Sequence, residues 1–189
     1  AVVATRGAST VQLDNARRVT ALGREMFEES KAEMMGGLFF RGGTAAITPS
    51  LHEAGVLPVK NYTTNIFPQY ADFDGIRMRE VFETKSSPCW ACTMAHCKRV
   101  KVTRGPYAGF EGEEPEYEGM AAFGPLIGVT DPGAAIMLND LNDRLGMDLK
   151  ETGFVLSLAI EAYEKGTLTK AQTDGLELTW DNPEAMREL

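Results

Sequence analysis

Three cysteines fall within nine consecutive positions, in Pro88-Cys89-Trp90-Ala91-Cys92-Thr93-Met94-Ala95-His96-Cys97-Lys98-Arg99, and they are the only three in the chain. Cys89-x-x-Cys92 sets two thiolates about one turn apart, close enough to share a metal or a cluster, and Cys97 can fold back to a third position. Three chemistries fit these residue types. A CxxC redox pair is one, although no βαβ pattern surrounds it. A zinc site of three cysteines and His96 is the second. The third is a 4Fe-4S cluster with a fourth thiolate from outside these residues. Plain buried cysteines do not account for this density. His96 ligates, donates to a sulfur or faces water. Lys98 and Arg99 offset cluster charge, attract an acidic electron carrier or form a solvated face.

The elements that must position this motif read as mainly α, a helical domain with a small β-hairpin after the cysteines. Asp14 is placed to cap a helix from about 15 to 34, with Val19, Leu22 and Met26 on one stripe. The four glycines of "GGLFFRGGT" are expected to break it. A short helix near 45 to 54 follows, then an extended loop through Pro58 and Pro68, then a helix near 75 to 84. "KRVKVTRGPYAGFEGEEP" reads as the hairpin. From Pro115, taken as a first helical position, the chain turns helical. Ala134, Leu138, Leu141 and Leu145 form a stripe ended by Gly146. Asp148, with Glu151 three residues on, starts the next helix, with Phe154, Val155, Leu158 and Ala162 as its expected buried face. The first residues, 1–13, read as the end of a preceding β domain, and 14–189 as the helical domain. Both ends suggest a piece of a longer protein.

The totals narrow the function classes. The 189 residues carry a net charge of −8, 43% apolar and 24% charged residues. An acidic chain argues against nucleic acid or an anionic membrane as partner. No run of 18 apolar residues and no signal peptide occurs. Clustered cysteines in odd number then point to a reducing, cytoplasmic setting rather than a disulfide framework.

Taken in order, "CWAC…CKRV", "GEEPEYEGMAAFGPLIG", "LNDRLGMD", "GFVLSLAIEAYEKG" and "DGLELTWDN" resemble the aldehyde ferredoxin oxidoreductase family, as does "GVLPVKN" ahead of them. These are tungsten (sometimes molybdenum) bis-pyranopterin enzymes with one 4Fe-4S cluster. The resemblance implies that Cys89, Cys92 and Cys97 hold the cluster and that the fourth cysteine lies downstream of this chain. It departs at one point: the family spacing is CxxCxxxC, here CxxCxxxxC, and His96 stands where the family places its third cysteine. Asp143-x-x-Gly146-Met147-Asp148 matches the family's pterin-gripping DxxGL(D/C) turn, with Met147 for leucine. A carboxylate can accept two parallel N–H groups of a pterin edge, and a helix end meeting a helix start offers free backbone groups. Capping by Gly146 and Asp148 would explain the same turn with no ligand. Glu118, in "EPEYEG", matches the family glutamate beside the metal, which could orient or deprotonate attacking water. Glu113, Glu114 and Glu116 read instead as helix-dipole partners.

The implied activity is oxidation of a small aldehyde to a carboxylic acid, with electrons leaving through the cluster to ferredoxin or another electron-transfer protein. A low-potential reductase of the same family is the first alternative, and a non-catalytic cysteine-rich metal module the second. The remaining domains of the parent chain are expected partners, a homo-oligomer stays open, and the isolated chain is expected to be inactive.

Overall fold

The computed structural model describes residues 7, 12–90 and 92–189; the strand expected at the N-terminus lies outside them. Proline, glycine and Asx caps divide the described chain into eight α-helices and one three-stranded sheet, a mainly α architecture.

Helix α1 (Ala16–Ala32) starts one residue later than expected, because Asn15 rather than Asp14 accepts the Arg18 N–H at 2.9 Å. Its apolar stripe does not reach the core. Val19, Leu22 and Met26 are all more than half exposed and α1 buries no residue. Amphipathic spacing marks a face, not what covers it. Helix α2 (Met34–Gly42) corrects a second expectation, since Gly36 and Gly37 lie inside it rather than breaking the chain. A Cβ on Gly36 would collide with the Ser30 carbonyl oxygen, so glycine lets α2 fold back against α1. A 3-10 turn (Thr44–Ile47) leads into α3 (Thr48–Glu53). The segment 55–69 has no helix or strand, only one bridge between Val59 and Thr64. Helix α4 (Gly75–Val81) is capped by Asp74, which accepts the Ile76 N–H at 3.0 Å.

The sheet runs β1 (Glu83–Ser86), β2 (Lys98–Lys101) and β3 (Glu111–Glu113), all antiparallel. The expected hairpin is β2–β3. Strand β1 was not anticipated, because all four of its residues are exposed and it carries no alternation. Its presence makes the cysteine motif the loop that joins β1 to β2.

Helix α5 (Tyr117–Phe123) is buried from Gly119 to Phe123. Pro115 stands two residues ahead of it, not at its first position. Helices α6 (Pro132–Leu145) and α7 (Leu149–Glu164) pack on α5, and α8 (Pro183–Glu188) on α6. Met120, Phe123, Ile127, Ile136 and Ile160 form the centre of the core. The buried face of α7 is Gly153, Leu156, Ser157 and Ile160. The expected face is displaced: Phe154, Val155 and Leu158 are 40–64% exposed. Close approach decides this, since a Cβ on Gly153 would lie 2.7 Å from the Ala122 Cβ, a fit open only to the small-residue side of α7. Leu145 likewise points outward, while Ala134 and Leu138 are buried. No single helix among the described residues is long and apolar enough to cross a membrane.

Candidate metal and cofactor site

The cysteine loop is closed at its base by the Ser86–Lys98 pair of β1 and β2 and by the Ser87 N–H donating to the Cys97 carbonyl at 3.0 Å. Within it the Cys92 N–H donates to the Cys89 carbonyl at 3.1 Å, the tight turn expected of CxxC. Ala95 is left-handed, at φ 50°, a conformation that disfavours a Cβ. This left-handed residue stands directly ahead of His96 and Cys97. The Cys89 and Cys97 sulfurs lie 3.8 Å apart. All three thiols are free; Cys89 and Cys92 are exposed and Cys97 half-buried.

One buried arginine ties this loop to three other elements. Arg79, on α4, pairs with Glu114 through two hydrogen bonds of 2.6 and 2.5 Å. Its remaining donors reach the Arg41 carbonyl at the end of α2 and the His96 carbonyl in the loop, both at 2.6 Å. The two side chains are 11% and 4% exposed. This planar fork is what a guanidinium provides and an ammonium does not. Glu114 is therefore a clamp rather than the dipole partner expected from the sequence.

Glu116 is the second carboxylate with an unforeseen partner. It accepts from the Thr44 hydroxyl, which in turn accepts the Tyr117 N–H at 2.8 Å. Its other oxygen lies 3.6 Å from the Cys97 sulfur, and His96 Nδ1 lies 3.7 Å from that sulfur. Burial, then the contact with Cys89 and the charge of Glu116, push the Cys97 thiol up to about 12. A metal that binds there must displace this proton.

The second motif sits across a shared space. Asp143 closes α6 and accepts from Asn139 Nδ2 at 3.0 Å. Burial, with the charges of Glu113 and Asp140, raises the Asp143 carboxyl above the usual range, and the Asn139 bond opposes them. A cavity of about 290 Å³ is lined by Cys89, Cys97, Glu116, Asn139 and Asp143 among others. Two of the three cysteines and the first residue of the turn thus open on one volume. Gly146 is left-handed at φ 70° and ends α6, and the Asp148 carboxylate caps α7 through the Glu151 N–H at 3.0 Å. Met147 and Asp148 face a different space, an apolar groove of about 830 Å³ beside Asn142, Val155 and Met186. Glu118 is exposed on the first turn of α5 and lines a third pocket with Tyr62, Lys150 and Phe154. Gly146→Ala is expected to cost about 1 kcal/mol from backbone strain alone, since nothing lies within 4 Å of the added methyl; denaturant unfolding would measure it.

The donor sets fit the two groups that the sequence implies. Three free thiols on one loop suit iron or zinc. Beneath the 143–148 turn, Asn142 donates to the Met147 carbonyl at 2.8 Å while its own buried oxygen has no partner, and the buried Asn139 oxygen beside Asp143 has none either. The Asn139 oxygen is packed against Gly119, so of this set the Asp143 carboxylate, which opens on the cavity, is the acceptor that fits a donor-rich edge such as that of a pterin.

The family model described as aldehyde ferredoxin oxidoreductase, domains 2 & 3, matches residues 21–189. The tungsten-containing aldehyde ferredoxin oxidoreductase of Pyrococcus furiosus is 32% identical over 97% of this chain, and that of Thermococcus kodakarensis 30% identical over 97%. The P. furiosus aliphatic sulfonate oxidoreductase, WOR-like subunit, is 32% identical over 73% of the chain. The chain spans 30% of the length of the first two relatives and 22% of the third.

Proposed function

The chain belongs to the aldehyde ferredoxin oxidoreductase family, and on that premise we propose that it forms part of an oxidoreductase that oxidises aldehydes to carboxylic acids and passes electrons to ferredoxin. The observation that carries this reading is the single cavity onto which Cys89, Cys97 and Asp143 all open, because electron transfer needs cluster and pterin ligands to be neighbours. Cys89, Cys92 and Cys97 hold a 4Fe-4S cluster as thiolates, with the fourth ligand from elsewhere in the parent chain. Asp143 accepts paired N–H donors of a pterin, oriented by Asn139. Gly146, Met147 and Asp148 supply the turn backbone. The resemblance offers Glu118 as the carboxylate that would orient or deprotonate the attacking water, from the third pocket rather than from this cavity. The tungsten or molybdenum pterin, when bound, supplies the two-electron oxidation.

The relative named for aliphatic sulfonates favours a second reading, the same cofactor frame acting on a different small substrate. The low-potential reductase keeps the same residues with electrons flowing inward.

Elemental analysis of the anaerobically purified, natural-length protein tests the proposal. Iron and acid-labile sulfide near four each, with about one tungsten or molybdenum, are expected. Asp143→Asn is expected to lower the pterin content while leaving iron unchanged. Zinc as the sole metal would overturn the reading.

A further inference from the structure

Three consecutive residues other than glycine, Lys60, Asn61 and Tyr62, are left-handed, at φ 45°, 50° and 60°. Bulky side chains avoid this region. A run of three needs holding in place, and strain of this kind gathers at ligand clamps. The holding groups come from two directions. The Lys60 and Asn61 N–H groups donate to the Pro125 and Leu126 carbonyls at 2.9 and 3.1 Å, and the Thr63 N–H closes the turn on the Lys60 carbonyl at 3.0 Å. From the other side, the Asn61 amide donates to Glu161 on α7. The buried Ser157 hydroxyl lies 3.2 Å from Asn61 Oδ1 and 2.9 Å from the Phe154 carbonyl.

What this turn presents is Tyr62. Its ring lies nearly parallel to that of Phe154, at 13° with the centroids 6.2 Å apart. With Tyr117 and Leu126 the two rings wall a pocket of about 180 Å³, and the charged residues that line it are Glu118 and Lys150. One carboxylate and one ammonium leave that lining without net charge, which suits a neutral ligand. The Tyr117 hydroxyl is pushed up to about 12 by burial and by its neighbours Tyr62 and Glu118, so it remains a hydrogen-bond donor. Flat aromatic walls suit a flat ring, and an apolar space of about 150 Å³ holds benzene. The place of Phe154 in this wall also gives its exposure on α7 a use.

We propose that Tyr62, Tyr117 and Phe154 form a pocket for neutral, flat aromatic carbonyl compounds, in which Tyr62 determines specificity and Asn61 positions it. The ring of the ligand lies along the Tyr62–Phe154 wall, and its carbonyl oxygen accepts from the Tyr117 hydroxyl. As a statement of substrate, an aromatic rather than a short aliphatic aldehyde, this rests on the reading of Glu118 given above. As a binding site it does not.

Benzamide is the probe, because it carries the ring and the carbonyl but is neutral and unreactive, and acetamide is its ringless counterpart. Natural-length protein, purified anaerobically with its cofactors, is titrated with each by calorimetry. One benzamide per chain is expected, with acetamide at least about tenfold weaker. Tyr62→Ala should weaken benzamide about tenfold and leave acetamide unchanged, while Tyr62→Phe, which keeps the ring, stays within about twofold. Asn61→Gly accepts the left-handed backbone but loses the ties to α7, and should weaken benzamide about threefold. Tyr62 is 61% exposed, so its urea midpoint should not move, and the benzamide-to-acetamide ratio of the unaltered chain stands whatever the variants do. No benzamide binding, equal binding of the two amides, or indifference to Tyr62→Ala overturns the pocket. Aldehyde oxidation is read separately, with Tyr62→Ala expected to raise KM for benzaldehyde about tenfold and kcat little. Benzamide binding that depends on Tyr62 without any aldehyde oxidation upholds the pocket and sinks the oxidoreductase reading. Oxidation with benzamide binding and benzaldehyde KM both indifferent to Tyr62 does the reverse.

Discussion

Arg79→Met is expected to destabilise the fold by about 3–5 kcal/mol. The size of the effect follows from what is left behind. Glu114 is only 4% exposed, and without Arg79 its carboxylate would be a buried, unpaired charge. Removing one partner of such a pair costs far more than the pair itself contributes. The carbonyls of Arg41 and His96 lose their donors as well. Arg79→Lys keeps the charge but cannot hold Glu114 through two parallel bonds while also reaching both carbonyls, so it should recover only part of the loss. Arg79→Met combined with Glu114→Leu should recover more, because it removes the stranded charge. Urea unfolding of the four proteins measures these differences. A loss under about 1 kcal/mol in Arg79→Met would show that the clamp is not needed. The effect should reach the cysteines too. The His96 carbonyl is held by Arg79 and its neighbour Cys97 is half-buried, so Cys97 should react faster with a thiol reagent in Arg79→Met than in the unaltered chain. Cys92, already exposed, should not change.

Which parts of this arrangement are readable from sequence depends on how far apart in the chain their causes lie. The cysteine motif and the 143–148 turn are local. Their spacing, the left-handed Gly146 and the Asp148 cap follow from residues within one or two turns of each other, and the fold contains them as expected. The mainly α class is legible for the same reason. The clamp and the contacts of Glu116 are not local. Arg79 and Glu114 are 35 positions apart, and Thr44 and Glu116 are 72. In the sequence, Glu113, Glu114, Glu116 and Glu118 are four similar carboxylates before a helix. Only packing shows that Glu114 is spent on Arg79, that Glu116 faces Cys97 and that Glu118 faces elsewhere. The face of α7 failed on a subtler point. Periodicity ranked Phe154, Val155 and Leu158 as core by their apolarity, whereas the helix turns its smallest residue, Gly153, toward α5 because the backbones approach there. Large exposed residues on α1 and α7 make the same point: apolarity fixes a preference for burial, and neighbours decide whether it is met.

Gly119→Ala is the other substitution expected to have a large effect, and it links core packing to the candidate pterin turn. The added methyl would overlap Asn139 Oδ1 and lie 3.1 Å from its Cγ. Gly119 and Asn139 are both buried, on α5 and α6, so neither backbone can yield cheaply. Asn139 must rotate, and rotation breaks its hydrogen bond to Asp143. Overpacking and the lost bond together give about 3 kcal/mol of destabilisation. Pairing Gly119→Ala with Asn139→Ala frees the space and should return much of that stability, a coupling that a double-mutant cycle would read directly. The repaired core should still lack the side chain that orients Asp143. In the natural-length protein the double variant is therefore expected to be stable yet poor in pterin, with iron unchanged. The Asp143 carboxyl, relieved of the one contact that lowers its pKa, should titrate higher still. If the double variant instead regains both stability and full pterin content, Asn139 is a packing residue only, and Asp143 holds its ligand without help.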